Sequence, residues 1–157
     1  MNRLATKDNL IKRGLPMPSD ACLMCHSTAE NLDHVMVCCS SSKIIGAYLA
    51  AWVDWWPATE LTFCGLWSRI CSMEGSSTSQ VIRKTIGAAY FWSVWAHRNN
   101  LVFKRCCKKD TEIFREIQYV AYDWIRCWVK GGKALSWESW ACNPIDAVLS
   151  CIHLAPR

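Results

Sequence analysis

Four side chains able to bind a metal fall within 18 positions: Cys22, Cys25, His34 and Cys39, in the pattern C-x2-C-x8-H-x4-C. Two cysteines separated by two residues sit on a tight knuckle from which both thiolates reach one ion. The histidine and the last cysteine then supply the other corners of a tetrahedron. Thiolate and imidazole donors suit Zn²⁺, and four protein ligands leave no open position for a catalytic water. The expected site is a structural zinc. Spacing alone leaves two exchanges open: Cys38 for Cys39, giving H-x3-C, and His26 for His34, although its adjacency to Cys25 makes closure awkward. From Asp20 to Cys39 the chain shows neither helical nor strand periodicity and carries too little apolar mass to fold unaided.

Other chemistry is thin, and no catalytic residue is assigned. A polymerase needs carboxylates converging on Mg²⁺, and the chain has no Asp-Asp pair. Tyr122-Asp123 resembles half of a polymerase signature, but it lies within a helical stripe and reads as a helix-face aspartate. There is no glycine-rich phosphate loop and no G-x-S-x-G elbow. Cys106 and Cys107 stand among Lys104, Arg105, Lys108 and Lys109, whose charge favours their thiolates. That predicts reactive thiols and no hydrolytic site; a thiol-dependent enzyme would need a low-pKa cysteine near a histidine.

Five positive charges, Arg98, Lys104, Arg105, Lys108 and Lys109, fall within 12 residues, with Asn99 and Asn100 beside them. They are the expected contacts for nucleic-acid phosphate, and Arg3, Lys7, Lys12 and Arg13 extend the patch if the first helix docks nearby. The plain alternative is a solvated loop. Net charge divides as +3 over residues 1–19, −4 over 20–79 and +6 over 80–157. The knuckle has no aromatic side chain before Tyr48 and no Lys or Arg between Asp20 and Ser42. It is therefore expected to organise the fold and not to hold phosphate.

The elements that must position these groups read as helices. The chain has 157 residues, 52% hydrophobic and 20% charged, enough for one sizeable core. A short helix runs from Thr6, its cap, to Arg13, burying Leu10 and Ile11 and stopping at Gly14. Pro16 and Pro18 then force an extended linker. Ser42 is expected to cap a helix with Ile44, Ile45, Tyr48, Leu49, Trp52 and Trp56 on its buried face, ended by Pro57. A shorter helix spans Leu61 to Met73, and Gly75 to Ser79 reads as a flexible joint. The next helix, about Gln80 to Arg98, is apolar nearly all round and is placed centrally. Asp110 or Thr111 caps the last long helix, with Ile113, Ile117, Val120, Trp124 and Trp128 as its stripe and Lys130-Gly131-Gly132 as its stop. The expected fold is mainly α: a small zinc knuckle, a tryptophan-rich helical bundle and an irregular C-terminal tail. Its segments are a zinc-binding part at 1–56, a helical region at 57–130 and a tail at 131–157.

Ten tryptophans, eight in close pairs, are assigned to core volume. Eleven cysteines, an odd number, argue against a complete disulfide framework. The N-terminus has no apolar signal core and Thr85 to Ala96 is too short to span a bilayer. A reducing location, nuclear or cytoplasmic and not secreted, follows as the expectation, with no membrane partner and no small-molecule substrate.

Three stretches in this order resemble the reverse transcriptase zinc-binding domain at the C-terminal end of plant non-long-terminal-repeat retrotransposon polyproteins. RLATKDNLIKRGL resembles its entry helix. CLMCHSTAENLDHVMVCC resembles its knuckle, where an acidic residue, then Asp-His, then a cysteine five places after the histidine recur; this favours Cys39 over Cys38. WSVWAHRNNLVFK resembles its following helix. The resemblance spans about residues 3–130. It departs at Cys38, Ser40 and Ser41, which stand where a histidine or similar residue and a Pro-aromatic pair are often seen, and it lacks the polymerase that precedes the family's domain. It implies a non-catalytic domain that binds RNA or DNA and positions it for a polymerase of the same polyprotein. The rival readings are a protein-interaction module or a functionless relic of such an element.

Overall fold

The computed structural model describes residues 4–154, so Arg3 of the expected basic patch lies outside the described residues. Among the described residues seven α-helices carry the fold: α1 (Lys7–Lys12), α2 (Ser40–Trp52), α3 (Phe63–Ser72), α4 (Ser77–Lys104), α5 (Asp110–Trp128), α6 (Trp137–Cys142) and α7 (Pro144–Leu154). A π-helical turn at His34–Cys38 precedes α2, and a 3₁₀ turn at Gly132–Ala134 follows α5. No strand occurs among the described residues beyond one isolated bridge, Ala21 to Ala29. The protein is a knuckle joined to a helical bundle, as its periodicity predicts.

The long helix α4 is the bundle's axis. Ile82, Ile86, Ala89, Tyr90 and Ser93 are buried on one face, the face read from the sequence. Its bounds differ. Ser76 accepts from the Ser79 N–H as N-cap, so GSSTS starts the helix where a flexible joint was expected. The helix is also not buried all round, since Val81 and Trp92 face solvent.

In α5 the core-facing row is Ile113, Ile117, Ala121 and Ile125, a strict four-residue repeat. Of the expected stripe, Val120 and Trp124 are half-buried and Trp128 is exposed, because indoles of this size sit at the rim of a helix contact that small and branched residues fill. Lys109, and not Asp110 or Thr111, precedes the helix, its N–H bonded to the Glu112 carboxylate at 2.7 Å. The helix ends at Trp128, before the expected Lys130-Gly131-Gly132 stop; Gly131 (φ +80) makes the left-handed turn that follows, and a Cβ on Gly132 would lie 2.8 Å from the Ile125 carbonyl oxygen, which accounts for the Gly-Gly pair.

Two expected faces are corrected. Around α1 the buried residues are Lys7 and the preceding Thr6, while Leu10 is half-buried and Ile11 is 46% exposed, because this short helix docks by hydrogen bonds more than by apolar contact. In α2, Ile45 and Leu49 are buried but Ile44 and Tyr48 face outward, and the helix ends at Trp52. Ser42 lies inside it and donates to the Val35 carbonyl.

The C-terminal segment is not an irregular tail. Helices α6 and α7 pack back, with Leu135, Trp140, Ala147 and Val148 in the core cluster. Three hydrogen bonds fix the segment: Trp140 Nε1–H to the Gln118 carbonyl at 3.0 Å, Trp52 Nε1–H to the Ala141 carbonyl at 2.9 Å, and Tyr122 O–H to the Leu135 carbonyl at 2.8 Å. Trp52 and Trp140 meet edge to face at 5.7 Å. Helices this short hold too few apolar residues to show a period, so their order comes from the indole they bury.

Replacing Trp140, which is fully buried, by Ala is expected to cost about 3–5 kcal/mol of folding stability. Trp128→Ala, at a 64% exposed site, is expected to change it by about 0.5 kcal/mol or less. Urea unfolding of both variants checks the difference; equal midpoints would mean that the segment after residue 134 is not part of the fold.

Candidate metal centre

The first two ligand positions come from a closed turn. The Ala21–Ala29 bridge pins its ends, Cys22 N–H donates to the Thr28 carbonyl at 2.7 Å, and His26 N–H donates to the Cys22 carbonyl at 2.8 Å. His26 has φ +59, the left-handed turn that reverses the chain just after Cys25, and its ring is exposed. It is therefore turned out of the cluster, which removes it as the alternative to His34.

The other two positions come from the π-turn. In an α-helix, residues five apart are rotated by about 140° and cannot face one ion. The wider turn is closed by Cys39 N–H donating to the His34 carbonyl at 2.7 Å, an i to i+5 bond, and this brings His34 and Cys39 to one side. Cys38 points elsewhere, its thiol donating to the Leu61 carbonyl at 3.2 Å. The Tyr90 hydroxyl, donating to the Met36 carbonyl at 2.6 Å, and the Ser42 hydroxyl on Val35 satisfy carbonyls within the turn. The π-turn falls in a stretch expected to have no helix.

One donor atom from each of Cys22, Cys25, His34 and Cys39 lies within 4.8 Å of every other. Cys22 Sγ and Cys39 Sγ are 4.0 Å apart, and Cys25 Sγ is 3.3 Å from His34 Nε2. A tetrahedral ion with metal–sulfur bonds of about 2.3 Å needs sulfur pairs about 3.8 Å apart. The four residues read from the spacing thus form one cluster of the right size to hold a metal ion.

The electrostatics suit a cation. Cys22 is lowered to about 5, chiefly by the hydrogen bond from the Cys39 thiol, with the Met24 N–H at 3.4 Å assisting against burial. Cys39 is pushed far up by the same bond and by burial. The two sulfurs share one proton in the metal-free pair, and binding an ion would displace it. At Cys25, burial raises the thiol, but hydrogen bonds from Ser27 and His34 outweigh it and leave it below its ordinary value.

A buried ion pair ties the knuckle to the bundle. Glu30 and Arg98 are both buried, with Glu30 Oε1 2.5 Å from Arg98 Nη2 and Oε2 3.3 Å from Nε. Glu30 Oε1 also accepts from the Lys7 N–H at 3.0 Å, while Lys7 Nζ donates to the Ala21 carbonyl at 2.6 Å. Arg98 lies over the Trp95 ring at 5.1 Å. Removing one member of such a pair strands a buried charge, at a typical cost of about 3–5 kcal/mol. Arg98 and Lys7 are therefore internal ties, and the expectation that they face phosphate is corrected. Glu30 is the residue the sequence reading missed; its signal was an acid in a segment without a local cation. Asp33 accepts from the Phe63 N–H at 2.8 Å and anchors α3.

The remaining basic residues gather at the junction of α4 and α5. Arg105 turns the chain there with φ +51. Lys108 pairs with Glu116 at 2.7 Å, whereas the side chains of Lys104, Arg105 and Lys109 are exposed and bonded to no partner among the described residues. Cys106 and Cys107 are exposed between them.

Residues 1–45 match the family described as zinc-binding in reverse transcriptase. The match contains all four clustered ligands, the Glu30 anchor and α1, and it bears out the resemblance read from the entry helix and knuckle. No curated protein and no solved structure is significantly similar to the chain. Among the described residues no helix is long and apolar enough to cross a membrane.

The two adjacent cysteines differ in their expected effect on metal binding. Cys39→Ser is expected to weaken metal affinity at least tenfold, whereas Cys38→Ser, which removes only a thiol bonded to the Leu61 carbonyl, should leave it within twofold. Competition with a chromogenic chelator measures both; the reverse ranking would show that the π-turn is misassigned.

Proposed function

We propose that the chain is a non-catalytic, zinc-stapled accessory domain of a plant retrotransposon reverse transcriptase. It binds RNA or DNA and positions it for a polymerase domain of the parent polyprotein. The family match and a donor set of three sulfurs and one imidazole support zinc as the resident ion. Such an ion has no open coordination position for a water, so its contribution is to folding, typically about 10–16 kcal/mol of apparent binding free energy near pH 7.

The observation that carries the nucleic-acid reading is the set of three unpartnered cations, Lys104, Arg105 and Lys109, on one exposed junction. Lys108, half-exposed and shared with Glu116, contributes less. The knuckle stays out of contact, since three thiolates on Zn²⁺ leave about one negative charge there.

Replacing Lys104, Arg105 and Lys109 together by Gln is expected to flatten the log-log salt dependence of oligonucleotide binding by about two to three units, at about 0.7 per phosphate on single strands and 0.9 on duplex. Titration by fluorescence anisotropy at several salt concentrations measures the slope. An unchanged slope with metal still bound would assign the junction to solvent and favour the interaction-module or relic reading.

A further inference from the structure

The sequence assigns the tryptophans to the core, yet one helix face carries aromatic rings outward. Trp92 is 61% exposed and Phe103 is 78% exposed. Eleven residues apart, they lie on one side of α4 about 16 Å from each other, with Trp95 and Asn99 between them. Neither ring packs on another aromatic ring among the described residues. Beneath Trp92 runs an open groove of about 610 Å³, walled by Trp67, Phe91, Trp95 and Trp124 and almost without polar atoms. The Phe103 end of the ridge runs directly into Lys104 and Arg105, two of the three unpartnered cations.

Exposed rings of this size normally cost solubility, and an apolar slot alone names no occupant. The charge beside it does. A ligand that meets both features must offer flat apolar faces at short intervals along a chain of negative charge. A single strand has that form, with unstacked bases on a phosphate backbone; a duplex hides its base faces.

We propose that the α4 ridge from Trp92 to Phe103 stacks unpaired bases of single-stranded nucleic acid whose phosphates lie on Lys104, Arg105 and Lys109. The inference rests on the proposed function and names its ligand class. Because the groove offers almost no polar atoms, it recognises base faces and not base edges, so binding is tolerant of sequence.

The test uses the full metal-bound chain and three labelled probes: oligo(dT), an abasic oligomer of equal length and charge, and a duplex. Oligo(dT) is expected to bind at least tenfold tighter than the abasic oligomer or the duplex at the same salt. Trp92→Ala and Phe103→Ala should each weaken oligo(dT) binding by roughly tenfold, about 1.4 kcal/mol for the loss of one stacked base, and leave the abasic oligomer unaffected. Both sites are exposed, and circular dichroism with metal content verifies that the variants are folded. Equal binding of oligo(dT) and the abasic oligomer, with both variants like wild type, overturns base stacking while leaving phosphate binding intact. No binding of any probe overturns both readings. Binding of an apolar peptide to the groove, in competition with no oligonucleotide, assigns the ridge to protein docking and also overturns it.

Discussion

Residues 20–39 carry too little apolar surface to bury themselves, and the gathering of Cys22, Cys25, His34 and Cys39 into one cluster is the constraint that shapes the knuckle and sets it against the bundle. Val35 and Met36 lie in the bundle core on the π-turn that runs between His34 and Cys39, and Tyr90 at the middle of α4 bonds to that same turn. The geometry that selects Cys39 over Cys38 is therefore also the geometry that sets how α2 leaves the knuckle. A single-residue shift of the histidine-to-cysteine spacing would rotate the final ligand away and turn the turn's apolar pair with it.

The Cys/His cluster acts within the knuckle, and the Glu30–Arg98 pair ties the knuckle to the bundle. One carboxylate receives the α1 backbone through Lys7 and the α4 guanidinium through Arg98, so three separate parts of the chain meet on it. Arg98 could not be placed from sequence. It stands in a run of basic residues whose other members are exposed or, like Lys108, half-exposed, and its partner lies 68 positions earlier. Lys104, Arg105 and Lys109 are exposed, but a distant buried acid claims Arg98, and local charge density carries no sign of that.

The same contrast runs through the helices. The clustering of the four Cys and His residues and the buried face of α4 were legible because each depends on residues close in sequence. The order of α6 and α7 was not, because it depends on Trp140 reaching the Gln118 carbonyl and the Trp52 ring across the bundle. The tryptophans were misread in part for a related reason: composition fixes how much aromatic surface exists but not which side of α4 or α5 receives it. Trp140 and Trp56 went inward, while Trp92 and Trp128 remained outside.

X-ray absorption at the zinc edge of the purified chain addresses the central claim most directly, since it reads the ligand atoms without requiring a substitution. Three sulfurs at about 2.3 Å and one nitrogen at about 2.0–2.1 Å are expected for one ion per chain. A shell of four sulfurs, an oxygen-rich shell, or no bound zinc would contradict the account.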